Sequence, residues 1–412
     1  MKTIVIIGSC DTKYKEVSYM REIIENEGIG VLVIDISTGP NKSYGYNVSR
    51  EDLALAHGTN WETLVPKTKG EKIAFMAEAA AAYVDKLYEE NKMHGILSVG
   101  GLQNTVVATK AMQRLPIGFP KVMASTVASG KRYFESIVGG SDIVVIPSIS
   151  DFTGINIVTR QIISNACACC IGMVKIAGNV LKKEDKLVVG VTLMGITNLG
   201  ACSAIEELER HGIEAIGFHT TGMGGATMEQ MACDSLIDGI LDLTIHEITS
   251  YHFGGGFSYN ERAEDRLKKA SKCQTPMVVC LGGLDFVDFN KNEFPARMDE
   301  RKYMMHNGNT AHIKILPDEA KEVADVVVER LNAIDYHIRL LIPTDGMRHN
   351  TQVGQELYYK EVDDILINNI KNNMKNKNVE IITVQGNLDT IEWGVKAARH
   401  MIDELRKSGR LS

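Results

Sequence analysis

Short runs of valine and isoleucine, apolar from end to end, recur along the chain between longer segments of helical periodicity. Such runs are typical of strands that are buried on both faces of a parallel sheet and covered by helices. In the first half of the 412-residue chain they span residues 3–7, 30–36, 95–99, 121–125 and 142–146. The alternation of these runs with helical segments predicts an α/β fold built on mostly parallel sheets flanked by helices.

A second series of apolar runs begins after the charged stretch LKKEDK at residues 181–186. These runs span residues 187–193, 213–218, 241–245, 276–281, 310–316, 337–343 and 379–384. A chain of this length has room for two domains or more, and few contacts are expected to cross such a charged stretch. We therefore predict two α/β domains, at residues 1–183 and 184–412.

The overall charge excludes some classes of partner. Lys and Arg number 45 against 52 Asp and Glu, so the net charge is −7 and no global field attracts nucleic acid or an anionic membrane. No uncharged apolar run reaches the roughly 18 residues that a membrane span needs. The eight cysteines lie mostly in apolar runs, as is typical of buried residues in a reducing compartment. We expect a cytoplasmic protein that binds neither nucleic acid nor membrane.

The loops that follow the strands are where a ligand is expected, because open α/β sheets bind ligands beyond the carboxyl ends of their strands. The first such loop is GSCDTKYKE at residues 8–16. Here Asp11 can hold a phosphate-bound magnesium ion, Thr12 offers a hydroxyl, and Lys13 offers a positive charge. Spacing alone leaves open that Asp11 or Thr12 only caps the following helix.

Two further polar loops follow the next strands of the first half, SVGGLQNT at residues 98–105 and STVASG at residues 125–130. Two glycines let a ligand approach the backbone, and the hydroxyls and amides offer neutral donors. Each loop alone is typical of a capped turn before a helix. The helix after the first of these loops is expected at residues 106–114. Their occurrence at successive strand ends favours a binding crevice.

The second half offers weaker candidates. His219 opens the loop HTTGMGG, where a titratable group can lie beside an anion held by backbone N–H groups, although a lone histidine is more often structural. Asp285 ends the loop GGLD, while Arg301 and His306 can hold a carboxylate or only tie a loop down. The phosphate-loop, dinucleotide and nucleophile-elbow motifs are absent, and no cysteine or histidine spacing predicts structural zinc.

Several of these segments together resemble one family. They are GSCDTKYKE from residue 8, MQRLPIGFPKVMASTVASG from 112, SDIVVIPSISDFTG from 141, HTTGMGGATMEQM from 219, GGLDFVDF from 282 and HN at 306–307. They resemble the Tm-one-like ATP-binding domain family, which is largely uncharacterised and includes the nucleotide-binding half of the plant inhibitor of tobamovirus RNA replication. The resemblance covers nearly the whole chain in motif order. It implies two Rossmann-like domains, a homodimer, ATP held by the N-terminal domain, and, because plant relatives are fused to a barrel-type domain, a separate barrel-type protein as partner.

The resemblance also implies a set of ligand contacts in the N-terminal domain. These are Asp11, Thr12, Lys13, Gly100, Gly101, Thr105, Ser125, Thr126, Ser129 and Gly130. The family commonly has Gly-Gly-Ser-Gly-Gly-Thr where this chain has GGLQNT at residues 100–105. Leu102 and Gln103 narrow access to the backbone there, which leaves room for another phosphorylated or carboxylated ligand in place of ATP.

These observations predict a protein that binds ATP or a similar phosphate ligand together with Mg²⁺, with Asp11 as the metal ligand. In the first interpretation it is a metabolic enzyme acting on a small acid in the cleft between the domains, where His219 or Asp285 handles a proton. In the alternative it is a non-catalytic, nucleotide-responsive binding or regulatory module.

Overall fold

The computed structural model describes residues 1–128, 137–176, 183–254, 256 and 258–411. The chain divides into two compact units, Met1–Lys182 and Lys183–Ser412. The division lies one residue before the boundary expected from the charged stretch. Each unit is built around its own parallel sheet flanked by helices, so the predicted α/β fold class is confirmed.

The N-terminal unit contains a five-stranded parallel sheet with strand order β2-β1-β3-β4-β5. The strands are β1 (Thr3–Gly8), β2 (Gly30–Asp35), β3 (Gly95–Gly100), β4 (Lys121–Ser125) and β5 (Val144–Pro147). This is a common order for doubly wound sheets, and the chain reverses direction across the sheet between β1 and β3. The loops after β1 and β3 therefore meet at the topological switch point, the usual ligand position in such folds.

Helices cover both faces of this sheet. They are α1 (Tyr14–Asn26), α2 (Arg50–Ala56), α3 (Trp61–Leu64), α4 (Lys69–Glu89), α5 (Leu102–Met112) and α6 (Ile157–Ile176). A capping box starts α4, since the Thr68 hydroxyl accepts from the Glu71 N–H and the Glu71 carboxylate accepts from the Thr68 N–H. Its apolar stripe, which includes Met76 and Val84, packs in the core on one face of the sheet.

Among the described residues, α6 is the one helix that is long and apolar enough, by length and composition alone, to span a membrane, although it carries Arg160 and Lys175. Its residues Ile163, Cys167, Cys170 and Val174 are buried in the core on the second face of the sheet, together with Met20 of α1. One face of α6 is therefore packed in the core of the N-terminal unit.

The C-terminal unit contains a six-stranded parallel sheet with strand order β14-β13-β9-β8-β6-β7 and a smaller antiparallel sheet with order β10-β12-β11. The strands of the parallel sheet are β6 (Val188–Leu193), β7 (Glu214–His219), β8 (Gly239–Thr244), β9 (Met277–Gly282), β13 (Ile338–Pro343) and β14 (Val379–Val384). Those of the small sheet are β10 (Phe286–Asn290), β11 (Tyr303–Met305) and β12 (Thr310–Lys314). The run at residues 310–316 was expected in the parallel sheet, and the structure places its strand in the antiparallel one.

The helices of this unit are α7 (Asn198–Arg210), α8 (Gly224–Cys233), α9 (His246–His252), α10 (Lys268–Lys272), α11 (Pro317–Asn332), α12 (Lys360–Asn373) and α13 (Ile391–Lys407). The ends of α8 and α10 are joined by a disulfide between Cys233 and Cys273, whose Cα atoms are 5.2 Å apart. This corrects the expectation of free thiols for those two residues. Cys10 and Cys280 are free and buried, as expected.

Candidate functional site

The polar loops of the N-terminal unit meet at one edge of its sheet. Strands β1, β3 and β4 are direct neighbours, so the loops that follow them lie side by side at their carboxyl ends. The Ser9 hydroxyl after β1 donates to Asn104 Oδ1 after β3, at 2.6 Å. The Thr126 N–H after β4 donates to the Gly100 carbonyl at 3.1 Å. These contacts bring the three loops together at one edge. The side chain of Asp11 lies against Gly39 and that of Lys13 reaches Phe152, while Ser129 and Gly130 lie outside the described residues.

The loop after β1 is held by a carboxylate that sequence reasoning missed. Asp35, buried at the end of β2, accepts from the Cys10 N–H at 3.0 Å and from the Ser37 N–H at 2.9 Å. The Ser37 hydroxyl in turn accepts from the Asp11 N–H at 3.0 Å. Burial is the main cause that raises the pKa of the Cys10 thiol, and the charge of Asp35 raises it further. The thiol therefore stays protonated. Two N–H groups of the loop are therefore engaged within the protein.

Neither Asp11 nor Thr12 caps α1 with its side chain, since the N-cap residue is Lys13 and it has no side-chain cap. The Thr12 hydroxyl donates to Asp11 Oδ1 at 3.2 Å, and the Lys13 ammonium donates to the carbonyl of Phe152. An ammonium has three donors, and within the described residues one of them is engaged. The structure therefore differs from the alternative in which Asp11 or Thr12 only caps α1.

The loop after β3 presents the start of a helix. Helix α5 begins at Leu102, four residues before the start expected from sequence, and its N-cap Gly101 offers no side-chain cap. Gly100 has a φ of 154°, and the Asn104 side chain lies where a Cβ atom on Gly100 would be. Asn104 therefore covers Gly100, and the N–H groups of the first turn of α5 emerge beside Gly101, at the switch point.

Two predicted hydroxyls serve the loop itself. The buried side chains of Thr105 and Ser125 are hydrogen-bonded to each other at 2.6 Å, and Ser125 Oγ also accepts from the Val127 N–H at 3.1 Å. Thr126 is half-buried, and its Oγ1 lies 3.6 Å from the position of a Cβ on Gly101. The Thr105 hydroxyl also donates to the Gly101 carbonyl at 2.9 Å, so it holds the turn, whereas the Thr126 hydroxyl faces the position of a Cβ on Gly101.

Gln103, where the chain departs from the family pattern, bridges two loops. Its Nε2 donates to the Ile36 carbonyl at 3.0 Å, and its Oε1 accepts from the Thr38 hydroxyl at 3.0 Å. The side chain is thereby directed toward the loop after β2. Leu102 is 55% exposed and does not fill the crevice.

A cavity of about 330 Å³ lies next to this edge, between α4 and α5. Thr105 borders it, and its apolar wall consists of Ala74, Ala77, Leu102, Val106, Val127 and Ile137. The edge therefore combines a polar backbone with an adjacent apolar recess.

The two predicted catalytic residues of the C-terminal unit are not brought together. His219 ends the edge strand β7, is exposed, and its Nδ1 lies 2.7 Å from the Thr221 hydroxyl. Asp285 follows β9, three strand spacings away in the sheet order, which is about 14 Å. His219 and Asp285 therefore do not form one acid–base pair in this structure.

Asp285 is a fully buried carboxylate between two cations. Lys314 Nζ lies 2.7 Å from Asp285 Oδ2, and Arg348 Nε lies 2.9 Å from the same oxygen. Burial alone would raise the pKa of Asp285, but Arg348 and Lys314 outweigh it and lower that pKa. Lys314 also contacts Asp363 at 2.7 Å, where burial raises the pKa of the carboxyl to about 6. A carboxylate held like Asp285 takes up no proton near neutral pH, so its geometry suits a fixed charge better than a general acid.

A second buried network lies between α8, β8, α9 and the segment before α10. The guanidinium of Arg266 contacts three buried carboxylates, those of Glu229, Asp242 and Glu247. Burial raises the pKa of Glu247 to about 7, although Arg266 opposes the shift. The Gly225 N–H donates to Glu247 at 3.0 Å. Sequence reasoning did not single out these residues, because each lies within an element and they meet only in the fold.

Within the described ranges no group of three or more histidine, cysteine, aspartate or glutamate side chains is arranged to hold a metal ion. Asp11 is a single half-buried carboxylate. One carboxylate is enough for Mg²⁺ when ligand phosphates and water supply the other oxygens. Asp11 therefore fits a magnesium ion that arrives with a phosphate ligand, and not a metal site made of protein alone.

Both units match models of one family. Residues 2–179 match the Uncharacterised protein family (UPF0261) N-terminal domain, and residues 186–405 match the Uncharacterised protein family (UPF0261) C-terminal domain. The chain belongs to the UPF0261 family.

Relatives of this UPF0261 chain occur in bacteria and in plants. The UPF0261 protein of Clostridium tetani (strain Massachusetts / E88) is 34% identical, with 98% of this chain and 100% of that protein covered. The ToMV susceptible protein tm-1(GCR26) of Solanum lycopersicum is 29% identical over 98% of this chain, which spans only 56% of the tomato protein. The resemblance to the Tm-one-like family is thereby confirmed. A crystal structure of Acinetobacter baumannii MurG aligns over 99% of this chain and 100% of that one at 13% identity, but its TM-score of 0.23 is too low to support an argument.

Proposed function

We propose that the N-terminal unit binds a small molecule carrying phosphate, with ATP as the first ligand to test, at the switch point between β1 and β3. The observation that supports this most is the Gly100-Gly101 turn, which leads into a helix without a side-chain cap. Free N–H groups and the helix dipole make such a start a binding site for phosphate.

In this proposal each nearby residue has a separate task. The phosphate accepts from the N–H groups of the first turn of α5 and from the Thr126 hydroxyl. Lys13 neutralises part of its charge, and Asp11 holds a Mg²⁺ ion that the phosphate also binds. Gly101 keeps the backbone open, while Asn104 packs against Gly100 and Thr105 and Ser125 hold the loop in shape.

The apolar cavity between α4 and α5 favours a nucleotide over inorganic phosphate. A volume of about 330 Å³ accommodates a planar base, and the wall formed by Leu102, Val106 and Val127 provides apolar contact for its faces. This cavity also adjoins Thr105, close to the first turn of α5 where we propose that the phosphate binds.

Whether the ligand is consumed separates the two forms of the proposal. For an enzyme, the full chain with ATP, Mg²⁺ and a panel of small carboxylic acids should release ADP, AMP or phosphate faster than buffer does. For a regulatory module, ATP should bind without turnover. The homodimer and the barrel-type partner are further proposals, and sedimentation of the full chain tests the first of them.

The Lys13→Ala variant tests the site through thermal unfolding. A ligand that binds only the folded state stabilises it by about 2.7 kcal/mol at a concentration of a hundred times Kd. We expect ATP with Mg²⁺ to raise the Tm of the natural chain and to raise that of Lys13→Ala much less. Lys15→Ala, which removes an exposed lysine two residues away, is the matched control and should keep the full increase. An equal increase in both variants would remove Lys13 from the site.

A further inference from the structure

The C-terminal sheet has a switch point of its own, at which no ligand has yet been placed. Strand β6 pairs with β7 on one side and with β8 on the other, so the loops after β6 and β8 meet there. His246 lies two residues beyond β8, and its ring stacks on Phe286 of β10 at 4.1 Å. His349, in the loop after β13, contacts the Ile196 carbonyl after β6 at 3.2 Å. Residues of β10 and of the loop after β13 therefore cover this switch point.

Arg348, in the loop after β13, has hydrogen-bond donors that are without acceptors in the part of the chain that the structure describes. It is fully buried, its Nε is engaged by Asp285, and its guanidinium carbon lies 4.1 Å from the centre of the Phe286 ring. Within the part of the chain that the structure describes, Nη1 and Nη2 are buried and have no hydrogen-bond partner. Buried donors in native proteins are nearly always paired. These two nitrogens also form the end of the guanidinium that grips a carboxylate with two parallel hydrogen bonds.

His312 adds a second unpaired group beside Arg348. Its ring lies 4.9 Å from that of Phe286, and its buried Nδ1 has no partner within the described residues. Burial is the main cause that lowers the pKa of His312, and the charge of Arg348 lowers it further, to about 3. The ring is therefore neutral and can donate one hydrogen bond. The exposed ring of His306 stacks on His312 at 4.7 Å, so solvent lies one ring away.

The surrounding charges disfavour a ligand with two negative charges more than one with a single negative charge. Arg348 and Lys314 already face the carboxylates of Asp285 and Asp363. Asp288 lies 3.4 Å from His246 Nε2 and accepts from the Ser258 hydroxyl at 2.6 Å. A dianion such as phosphate would meet more repulsion from these three carboxylates than a monoanion.

We propose that the C-terminal unit binds a small monocarboxylic acid, whose carboxylate is held by Nη1 and Nη2 of Arg348 and by His312. This site belongs to the other unit of the chain, so it does not depend on phosphate binding by the N-terminal unit. The nearby His246 is engaged within the protein, because its Nδ1 lies 2.8 Å from the Gly283 carbonyl and its Nε2 lies 3.4 Å from Asp288.

Calorimetric titration of the full chain with acetate, pyruvate and inorganic phosphate tests this proposal. We expect at least one carboxylate to bind, and Arg348→Lys to weaken that binding by about tenfold or more, because lysine cannot form the paired hydrogen bonds. His312→Phe, which keeps a ring but removes its donors, should weaken it several-fold. Phosphate is expected to bind the natural chain and Arg348→Lys equally, since we place it in the N-terminal unit.

The matched control is Arg301→Lys. Arg301 is also nearly buried, but both of its terminal nitrogens already have an acceptor. Nη1 and Nη2 donate to the two carboxylate oxygens of Glu319, with Nη1 at 2.7 Å. This variant should leave carboxylate binding unchanged. The proposal is overturned if neither carboxylate binds the natural chain, if Arg301→Lys weakens binding as much as Arg348→Lys, or if the Arg348 variant binds as tightly as the natural chain. Should Arg348→Lys fail to fold, an unchanged affinity in His312→Phe overturns it, and a several-fold loss there supports it.

Discussion

At the scale of single residues, Glu247 makes stability depend on pH. Its folded pKa is raised to about 7, mainly by burial, above the value of an unfolded glutamate, so the folded chain binds its proton more tightly. Below the pKa that Glu247 has in the unfolded chain, both states are protonated, and Glu247 does not change the free energy of unfolding with pH. As pH rises from there through 7, the folded state must ionise a buried carboxyl, and stability falls.

The Glu247→Gln variant should reduce this dependence, because glutamine keeps the shape without titrating. We expect the loss of unfolding free energy between pH 5 and pH 8, measured in urea, to be smaller in the variant than in the natural chain. The neighbouring charged groups are Arg266, Glu229 and Asp242, and they are the same in both chains. An equal loss in the two chains would show that Glu247 does not titrate in this range.

The residue scale also marks where the sequence stops being informative. Gly100, Gly101 and Lys13 were recognisable because glycines and a lysine directly after apolar runs fall at strand ends. Asp35 and Arg348 were missed, since their roles depend on burial and on partners at Cys10 and Asp285 that are distant along the chain. His246 follows a strand as Gly101 does, but nothing in its spacing shows that Phe286 will stack on it.

At the scale of elements, apolar runs are reliable for strands that are buried on both faces. All five runs expected in the first half are strands of the N-terminal sheet. Strand β10 was missed because Asp288 and Asn290 interrupt its apolar residues, and β11 because it has only three residues; both lie in an antiparallel sheet. The start of α5 was placed too late because Leu102, Gln103 and Asn104 resemble a polar loop, whereas the preceding Gly101 is the N-cap.

The start of α5 permits a sharp test with one methyl group. A Cβ on Gly101 would lie 3.6 Å from Thr126 Oγ1, an ordinary contact, so Gly101→Ala should fold and lose at most about 1 kcal/mol as a poorer N-cap. The methyl would stand where the phosphate is proposed to approach the helix. We expect titration calorimetry to show weaker ATP binding by this variant.

Gly70→Ala is the control, because Gly70 lies in the first turn of α4 and a Cβ there meets nothing within 4 Å. It should bind ATP like the natural chain. If Gly101→Ala also binds ATP with unchanged affinity, the turn between β3 and α5 is not the site.

At the scale of the whole molecule, the two units repeat one strand order. Without its small antiparallel sheet, the C-terminal unit has the order of the N-terminal unit with one strand added, and each unit has its own switch point. The N-terminal unit also has two apolar cores, one on each face of its sheet, made entirely of its own residues. This predicts that it folds and binds its ligand alone.

A fragment of residues 1–182 tests this independence. We expect it to unfold cooperatively on heating and to show an increase in Tm with ATP and Mg²⁺, while a fragment of residues 183–412 should show none. A fragment 1–182 that folds but does not respond, beside a full chain that does, would mean that the site needs residues from the C-terminal unit.

The most direct measurement for the central claim is a crystal structure of the full chain grown with ATP and Mg²⁺. We predict phosphate oxygens about 3 Å from the N–H groups of the first turn of α5, a distance typical of hydrogen bonds. Lys13 and Asp11 should face the same phosphate group. Phosphate bound at another place in the chain, or a β1–β3 edge still empty in crystals whose solution binds ATP, would contradict the account.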